Sequence, residues 1–168
     1  NAGALTVEVT ADFGASQVTR SFGITVTHVY LPPTAISLSN SVMNENVAAG
    51  TPVGAFSVTD PDAAIHSATY TYALAAGGAD NTSFSIAGNT LILQVKPNFE
   101  LKQSYAIRVV VTDSLAPAQP YTQDLTITIS DVAEYPSLTA WTKSAPQDTV
   151  FTFSKAEFEG HYSEPDGA

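Results

Sequence analysis

Residues 105–113 have the sequence YAIRVVVTD, and this run decides the fold. Its apolar residues fall at every second position: Tyr105, Ile107, Val109 and Val111. The run 124–130 alternates in the same way, with Leu125, Ile127 and Ile129 on one face. Alternation with period two is typical of a strand that buries one face and exposes the other. The two runs therefore predict two half-buried strands of a β domain.

Shorter runs before residue 105 carry the same pattern. Tyr70, Tyr72 and Leu74 alternate with smaller residues, and Ala87-Gly88-Asn89 forms a hairpin-type turn between two apolar runs. The alternation breaks around Gly54, which indicates a bulge or a bend. Short strands separated by turn signals are typical of a β-sandwich. We therefore predict an all-β fold, an Ig-like Greek-key sandwich of about seven strands in roughly 100 residues.

The segments on either side resemble parts of further domains. Residues 5–10 alternate, 12–14 form a turn, and 22–29 alternate again, in the same order of elements as 105–129. This is an internal repeat with a period near the size of one domain. The prediction divides the chain into closing strands of a preceding repeat (1–30), a linker (31–35), a complete domain (36–134) and opening strands of a following repeat (135–168).

The last of these segments has its own local signals. Residues 138–141 and 150–153 predict two strands. Residues 154–159 predict a helical turn, because a serine N-cap followed three positions later by glutamate is a capping box. The motif Glu164-Pro165-Asp166-Gly167 then repeats the earlier Asp60-Pro61-Asp62.

The composition limits the possible partners. Hydrophobic residues make up 44% of the chain, enough for a core, while 16 acidic and 6 basic residues give a formal charge of −10. Phosphate recognition depends on lysine and arginine, so we expect no nucleic-acid partner, and an anionic membrane surface is a poor partner too. No apolar run reaches about 18 residues, so we expect no membrane insertion.

The chain contains no cysteine, which excludes disulfides and thiolate chemistry. An extracellular domain without disulfides needs another source of stiffness, and this favours a bacterial surface or secreted protein stiffened by metal. No signal peptide opens the chain, so we expect a mature fragment of a longer protein.

Acidic residues cluster where strand-like runs end. Clustered carboxylates repel one another unless a cation lies between them. Calcium, a hard cation that takes about six to eight oxygen ligands, suits such a cluster better than magnesium, which resists full dehydration. A capped turn explains any one motif by itself, because Asp and Asn side chains bond nearby backbone N–H groups. Four motifs occur together: Asn44-Glu45-Asn46, Asp60-Pro61-Asp62, Thr112-Asp113 and Asp131-Val132-Ala133-Glu134.

The order of these motifs over about 99 residues resembles a cadherin-like repeat of large bacterial adhesins and surface proteins. The stretches that carry the resemblance are Ile36-Ser37-Leu38-Ser39, Asn44-Glu45-Asn46, Gly50-Thr51-Pro52-Val53-Gly54, Asp60-Pro61-Asp62, Phe84-Ser85-Ile86, Asn98-Phe99-Glu100, Tyr105-Ala106-Ile107, Val111-Thr112-Asp113 and Asp131-Val132-Ala133-Glu134. Each motif is weak alone, and their ordered spacing makes the likeness specific.

In that family, calcium lies between consecutive repeats, and the resemblance implies a ligand set for the downstream junction. It would comprise Glu45, Glu100, Asp131, Glu134, Glu164 and Asp166. The chain departs from the family pattern at Asn98, where the family has aspartate, and at Glu134, which replaces the second linker aspartate. Ala133 and Tyr135 replace linker asparagines. We therefore expect calcium binding with weakened or altered stoichiometry.

The upstream junction carries fewer acids. The resemblance implies Asp60, Asp62 and Asp113 as ligands there. The linker His28-Val29-Tyr30-Leu31 has none of the acids that the family places after its last strand, so we expect this site to be weak or empty. Asp12 is the counterpart of Asp113 for a junction further upstream.

Other chemistries find less support. The three histidines, His28, His66 and His161, lack metal-ligand spacing and are interpreted as surface or junction residues. No nucleophilic triad or phosphate loop occurs, so we expect no enzyme. Trp141 and several tyrosines leave a sugar-stacking platform open as an alternative.

The predicted function is a calcium-binding structural or adhesive module of a large extracellular protein. Its partners would be neighbouring repeats of the same or an identical chain, with cell-surface glycans or proteins as further candidates. Two alternatives remain: a polysaccharide-binding module, and a subunit of a head-to-tail filament whose incomplete ends are covered by strand addition.

Overall fold

A computed structural model describes residues 3–64 and 67–166 of the chain. Within them the chain is almost entirely β, as the alternation predicts. The strands are β1 (Gly3–Asp12), β2 (Gln17–Val26), β3 (Ala35–Leu38), β4 (Val42–Asn44), β5 (Pro52–Thr59), β6 (Tyr70–Leu74), β7 (Phe84–Ala87), β8 (Thr90–Leu93), β9 (Ser104–Asp113), β10 (Tyr121–Ser130), β11 (Ser137–Leu138) and β12 (Tyr162–Ser163). The helices of the described residues are a single 3₁₀ turn (Asn81–Ser83) and α1 (Lys155–Glu159).

The central domain, β3 to β10, is a sandwich of two four-stranded sheets. One sheet has the order β4-β10-β9-β6 and the other β3-β5-β8-β7. β9 and β10 pair antiparallel, with Tyr121 opposite Val111, whereas the short β4 runs parallel to the end of β10. Strands far apart in sequence are thus neighbours, which confirms the predicted sandwich. The eight described strands exceed the predicted seven or so because the first strand divides into β3 and β4 and contributes to both sheets.

The core lies between these sheets. The alternating faces predicted for residues 105–111 and 127–129 are buried there, facing apolar residues of the opposite sheet. The buried cluster consists of Ile36, Met43, Val53, Phe56, Phe84, Leu91, Leu93, Tyr105, Ile107, Val109, Val111, Ile127 and Ile129. A shared core of this kind holds both sheets, and with them the loops at each end of the domain, in fixed positions.

Gly54 forms the predicted irregularity in β5. The register against β8 shifts between Pro52 and Gly54. A Cβ at Gly54 would lie 2.8 Å from the carbonyl oxygen of Asn40 and 2.9 Å from its nitrogen, so only glycine permits this approach of two backbone segments.

The N-terminal hairpin, β1 with β2, forms a two-stranded sheet of its own. Its residues alternate between an apolar and a polar face, and both faces are exposed. On the apolar face Leu5 lies opposite Ile24 and Val7 opposite Phe22. Asp12 lies on the opposite, polar face, and its carboxylate accepts a hydrogen bond of 2.8 Å from the N–H of Gly14. Asp113, its proposed counterpart, is fully buried at the end of β9, so the two aspartates differ in surroundings.

The C-terminal segment differs in part from the prediction. β11 pairs with β12 through Leu138 and Tyr162, and residues 150–153 form no strand, so that strand prediction is wrong. Phe151 and Phe153 instead pack edge to face at 5.1 Å, below the ammonium group of Lys143. Aromatic packing takes the place of a hydrogen-bonded ladder here.

The predicted capping box is confirmed. The Ser154 hydroxyl accepts a hydrogen bond from the N–H of Glu157, and the Glu157 carboxylate accepts one of 2.8 Å from the N–H of Ser154. Trp141 packs beside this turn, 5.7 Å from Phe153 and stacked on His161 at 4.4 Å. The turn and the aromatic residues therefore stabilise each other. The Gly167 of the predicted Glu-Pro-Asp-Gly motif lies outside the described residues.

Replacing Gly54 by alanine should lower the free energy of unfolding by about 1–3 kcal/mol, because the added methyl group overlaps the backbone of Asn40. Urea unfolding of both proteins measures the change. Gly23→Ala is the matched control, since a Cβ there meets no atom within 4 Å. Equal stability of the two variants would contradict the close approach at Gly54.

Acid should loosen the C-terminal segment before it unfolds the core. Hydrogen bonding to Lys143, and then to Ser154, lowers the pKa of Glu157 from 4.5 to about 2. The stabilising contribution of the ionised Glu157 is therefore complete above pH 4.5 and is lost as the pH falls towards 2. The fluorescence of Trp141, the single tryptophan, reports this loss. Glu157→Gln should remove this component and Glu159→Gln should keep it; an unchanged profile in Glu157→Gln contradicts the assignment.

Candidate metal centre

Glu45 is the buried acid at the downstream end of the central domain. It follows β4, and only 2% of its surface is exposed. Its carboxylate accepts hydrogen bonds from the N–H of Phe99 at 2.8 Å and from the N–H of Val132 at 2.9 Å. These two backbone donors lower the pKa of the Glu45 carboxyl, because they stabilise its ionised form. Glu45 is thus a fixed negative charge.

Glu100 and Asp131 place two more carboxylates beside it. One carboxylate oxygen from each of Glu45, Glu100 and Asp131 lies within 4.8 Å of the other two. A hydrogen bond from its own N–H lowers the pKa of the Glu100 carboxyl. Burial and the negative charges of Glu45, Asp131 and Glu134 outweigh that bond and raise the pKa overall. The charges of the neighbouring acids thus contribute to this rise in pKa, although the side chains of Glu100 and Asp131 are exposed.

Basic side chains do not relieve this repulsion in the part of the chain that the structure describes. Lysine and arginine form their ion pairs elsewhere: Lys102 with Asp80, Arg108 with Asp124, Lys143 with Glu157 and Lys155 with Glu159. The three carboxylates thus carry uncompensated negative charge, and Glu45 among them is buried and already held in place. Such a cluster of oxygen ligands has the chemistry of a site for a hard cation.

Residues 131–134, which end the central domain after β10 and form the downstream linker, continue this cluster towards the C-terminal segment. The amide side chain of Asn46, a residue with a φ of 61°, donates a hydrogen bond to the Glu134 carboxylate. The N–H of Glu134 donates to both carboxylate oxygens of Asp166, at 2.9 and 2.7 Å. Asn46, Glu134 and Asp166 therefore connect the central domain, the linker and the following segment. Glu164 instead accepts a hydrogen bond from the hydroxyl of Tyr162.

The upstream acids are arranged differently. Asp60 accepts hydrogen bonds from the N–H of Asp62 at 2.7 Å and from the hydroxyl of Tyr70 at 3.1 Å. Burial, followed by the bond to Asp60 and the charges of Asp60 and Asp113, raises the pKa of Tyr70 to about 12. Asp113 accepts from the N–H of Leu115 through Oδ1, and its Oδ2 is buried without a hydrogen-bond partner.

Asp62 connects the upstream linker to the central domain. Its Oδ2 accepts a hydrogen bond of 2.7 Å from the N–H of Leu31, and its Oδ1 lies 3.2 Å from Nε2 of His28. The sequence places His28 in the linker but gives no sign of this contact, because residues that meet across the fold share no local pattern. His66 lies outside the described residues.

The structure brings together only part of the predicted ligand set. Among the described residues, the trio Glu45, Glu100 and Asp131 is the single group of acids and histidines close enough for a common ion. Glu134 and Asp166 adjoin it through the linker, whereas Glu164 and the upstream Asp60, Asp62 and Asp113 do not form such a trio. Asn98, which stands where the family has aspartate, accepts a hydrogen bond of 2.8 Å from the N–H of Leu101 and therefore caps a turn. Asn46 was missed as a partner of the site, although it belongs to the quoted Asn44-Glu45-Asn46 motif.

Comparison with known proteins gives a family and a fold. Residues 39–130, more than half of the chain, match the family model of the cadherin domain. A search of curated protein sequences finds no match.

Solved structures with a similar fold are multidomain cadherins. The protocadherin gammaB7 EC3-6 cis-dimer structure has a TM-score of 0.53 and 18% identity over 85% of this chain and 36% of that one. Protocadherin gamma B2 extracellular cadherin domains 1-5 give 0.53 and 21%, over 89% and 30% of the two chains. Mouse cadherin-23 EC22-24 gives 0.51 and 20%, over 80% and 44%. The chain thus spans less than half the length of each of these structures.

The two glutamates of the trio should respond in opposite directions to neutralisation when no metal is present. Glu100→Gln should raise the melting temperature in chelator at neutral pH, because it removes a charge that its neighbours disfavour. Glu45→Gln should lower it, because the ionised carboxylate is the form that the N–H groups of Phe99 and Val132 stabilise. Thermal melts in chelator test both; a lower melting temperature for Glu100→Gln would show that the acids do not repel.

Proposed function

This chain belongs to the cadherin family, and we propose that it is a calcium-binding structural and adhesive module whose downstream junction is stiffened by calcium. The observation that carries the proposal is the group of three carboxylates from Glu45, Glu100 and Asp131, with oxygens within 4.8 Å of one another. Two of them belong to the central domain, and Asp131 begins the linker. A ligand set of this kind joins the domain to its linker.

The family gives the general setting. Cadherin domains are adhesive, non-catalytic extracellular modules. In the described part of the chain, no helix is long and apolar enough to cross a membrane. We further propose a bacterial surface or secreted protein as the source, because a chain without cysteine needs a stiffening element other than disulfides.

The donor set fits calcium. All three ligands are carboxylates, which are hard oxygen donors, and calcium tolerates the irregular geometry of groups from separate segments. Bound calcium would neutralise the acids and couple the linker to the domain. Asn98 already caps a turn, and each carboxylate oxygen of Glu45 already accepts one backbone N–H, which supports the weakened or altered stoichiometry expected at this junction.

The residues of this chain have distinct tasks in that arrangement. Glu45 is the rigid member, because the fold supplies both of its backbone donors. Glu100 is the repelled member, because the charges of its acidic neighbours disfavour its ionised form and so contribute to its raised pKa. Glu134 and Asp166 connect the downstream linker to the following segment, since the N–H of Glu134 donates to the Asp166 carboxylate. A rigid junction therefore passes from β4 through the linker to the following segment.

The flanking segments support a tandem array. The exposed apolar face of the N-terminal hairpin is the kind of face that β9 and β10 bury in the central domain. We propose that residues 1–30 close a preceding repeat and that 135–168 open a following one. Neighbouring repeats, of the same or an identical chain, are then the first partners. The cis-dimer named for protocadherin gammaB7 is a precedent for association between chains.

The other proposals have weaker support. The upstream ligands Asp60, Asp62 and Asp113 stay a prediction, and we expect any metal site there to be weak or empty. A glycan platform on Trp141 also stays a prediction, and one face of that ring is already stacked on His161. The filament alternative would use the exposed apolar face of the N-terminal hairpin.

Calcium should stabilise the chain against heat. At a free concentration one hundred times the dissociation constant, one site contributes about 2.7 kcal/mol to the free energy of unfolding. Melts in excess calcium and in chelator, together with titration calorimetry, measure this effect. Asp131→Ala should abolish it, whereas Glu8→Ala, which removes an exposed acid of the N-terminal hairpin, should keep it.

The same proteins test the stiffening by small-angle X-ray scattering. Asp131→Ala in calcium should have a larger spread of solution dimensions than the parent chain, because the junction loosens while the core stays folded. Unchanged dimensions, or the absence of any calcium-dependent shift and heat, would mean that the acids are turn caps and would overturn the proposed function.

A further inference from the structure

We infer that the upstream junction is held without a metal, through a direct bridge from His28 and Leu31 of the linker to Asp62 of the central domain. The inference rests on the proposed function only for its contrast with the downstream junction. It assigns to His28 a positioning role at this junction, and it predicts that one chain contains two junctions of different chemistry.

The two linkers can be aligned through one shared contact. Upstream, the N–H of Leu31 donates to the Asp62 carboxylate. Downstream, the N–H of Glu134 donates to the Asp166 carboxylate. Leu31 is therefore the upstream equivalent of Glu134. Three positions earlier in each linker, His28 is the equivalent of Asp131. Both acids of the downstream linker are replaced upstream, one by an imidazole and the other by an aliphatic side chain.

The imidazole of His28 contacts the acid that a cation would otherwise serve. Its Nε2 lies 3.2 Å from Oδ1 of Asp62, and the two side chains are only 23% and 7% exposed. The ring also packs edge-on against Tyr30, with centroids 4.8 Å apart at 72°. The Leu31 N–H therefore donates a hydrogen bond to one oxygen of this carboxylate, and the His28 ring lies beside the other. Both contacts come from the linker, and together they restrict the direction in which it leaves the domain.

The upstream acids are also largely satisfied by protein groups. Of the six carboxylate oxygens of Asp60, Asp62 and Asp113, five have a polar protein partner within 3.2 Å, and Oδ2 of Asp113 has none. These acids do not come close enough together to share one ion, in contrast to Glu45, Glu100 and Asp131. We therefore infer that direct contacts between protein groups hold the upstream linker, whereas the downstream linker is held by a cation that neutralises the acids.

Spin-label distances across each junction test this directly. The chain has no cysteine, so pairs of introduced cysteines can be labelled without background. Val29→Cys in the upstream linker with Ser57→Cys reports on the upstream junction, and Tyr135→Cys with Gln103→Cys reports on the downstream one; all four positions are exposed. In the parent chain, the upstream distance distribution should stay narrow in both chelator and calcium, whereas the downstream one should be broad in chelator and narrow in calcium.

Substitutions of His28 give the decisive comparison. His28→Ala should lose the narrow upstream peak whether or not calcium is present, while the control His161→Ala should keep it. His28→Asp should also lose the peak in chelator, because it places a second negative charge beside the Asp62 carboxylate. Circular dichroism of each variant confirms that the sandwich is folded.

The two arms separate the two hypotheses. An upstream peak that narrows on calcium addition in the parent chain, or one that survives His28→Ala, overturns the metal-free bridge. A downstream distance distribution whose width does not change with calcium overturns the proposed function. The upstream distances then test the metal-free bridge by themselves.

Discussion

The carboxylate of Glu45 is the contact on which the rest of the junction depends. It is buried, and it accepts N–H groups from Phe99 and Val132, which are 54 and 87 residues away in the chain. A buried charge is costly unless it is fully hydrogen-bonded, so the turn at Phe99 and the start of the linker must both be in place. Once they are, Glu100 and Asp131 are brought beside Glu45, and their mutual repulsion follows from the same geometry.

The two ends of the central domain solve one electrostatic problem in different ways. Each end concentrates carboxylates where a linker leaves the sandwich. Downstream, both linker positions that face the domain carry acids, Asp131 and Glu134, so the negative charge accumulates. Upstream, His28 and Leu31 occupy those positions and make direct contacts with Asp62. In our proposal, the presence or absence of acids in the linker thus decides whether a junction needs a counter-ion.

Rigidity at the junctions matters because the segments beyond them have little structure of their own. The N-terminal hairpin is a single two-stranded sheet with both faces exposed, and an isolated hairpin is marginally stable in water. The C-terminal segment relies on a short helix and a cluster of aromatic residues around Trp141. In the tandem array that we propose, such pieces would gain order from neighbouring repeats, and the linkers would set the orientation of those neighbours.

Local patterns in the sequence were enough for most of the fold. The alternation in residues 105–111 predicted a buried face, Gly54 its bulge and Ser154 its capping box, because period and capping involve residues only a few positions apart. The same patterns wrongly predicted a strand at 150–153. The apolar spacing there resembles that of a strand, but Phe151 and Phe153 pack against each other instead.

The sequence by itself therefore determined the strands, the core and the acidic motifs at the strand ends. Only the tertiary structure decided which acids meet: Glu45 with Glu100 and Asp131, but not Glu164. It also decided that His28 contacts Asp62. The physical reason is that these contacts join residues tens of positions apart, whose distance depends on how two sheets pack and not on any local pattern.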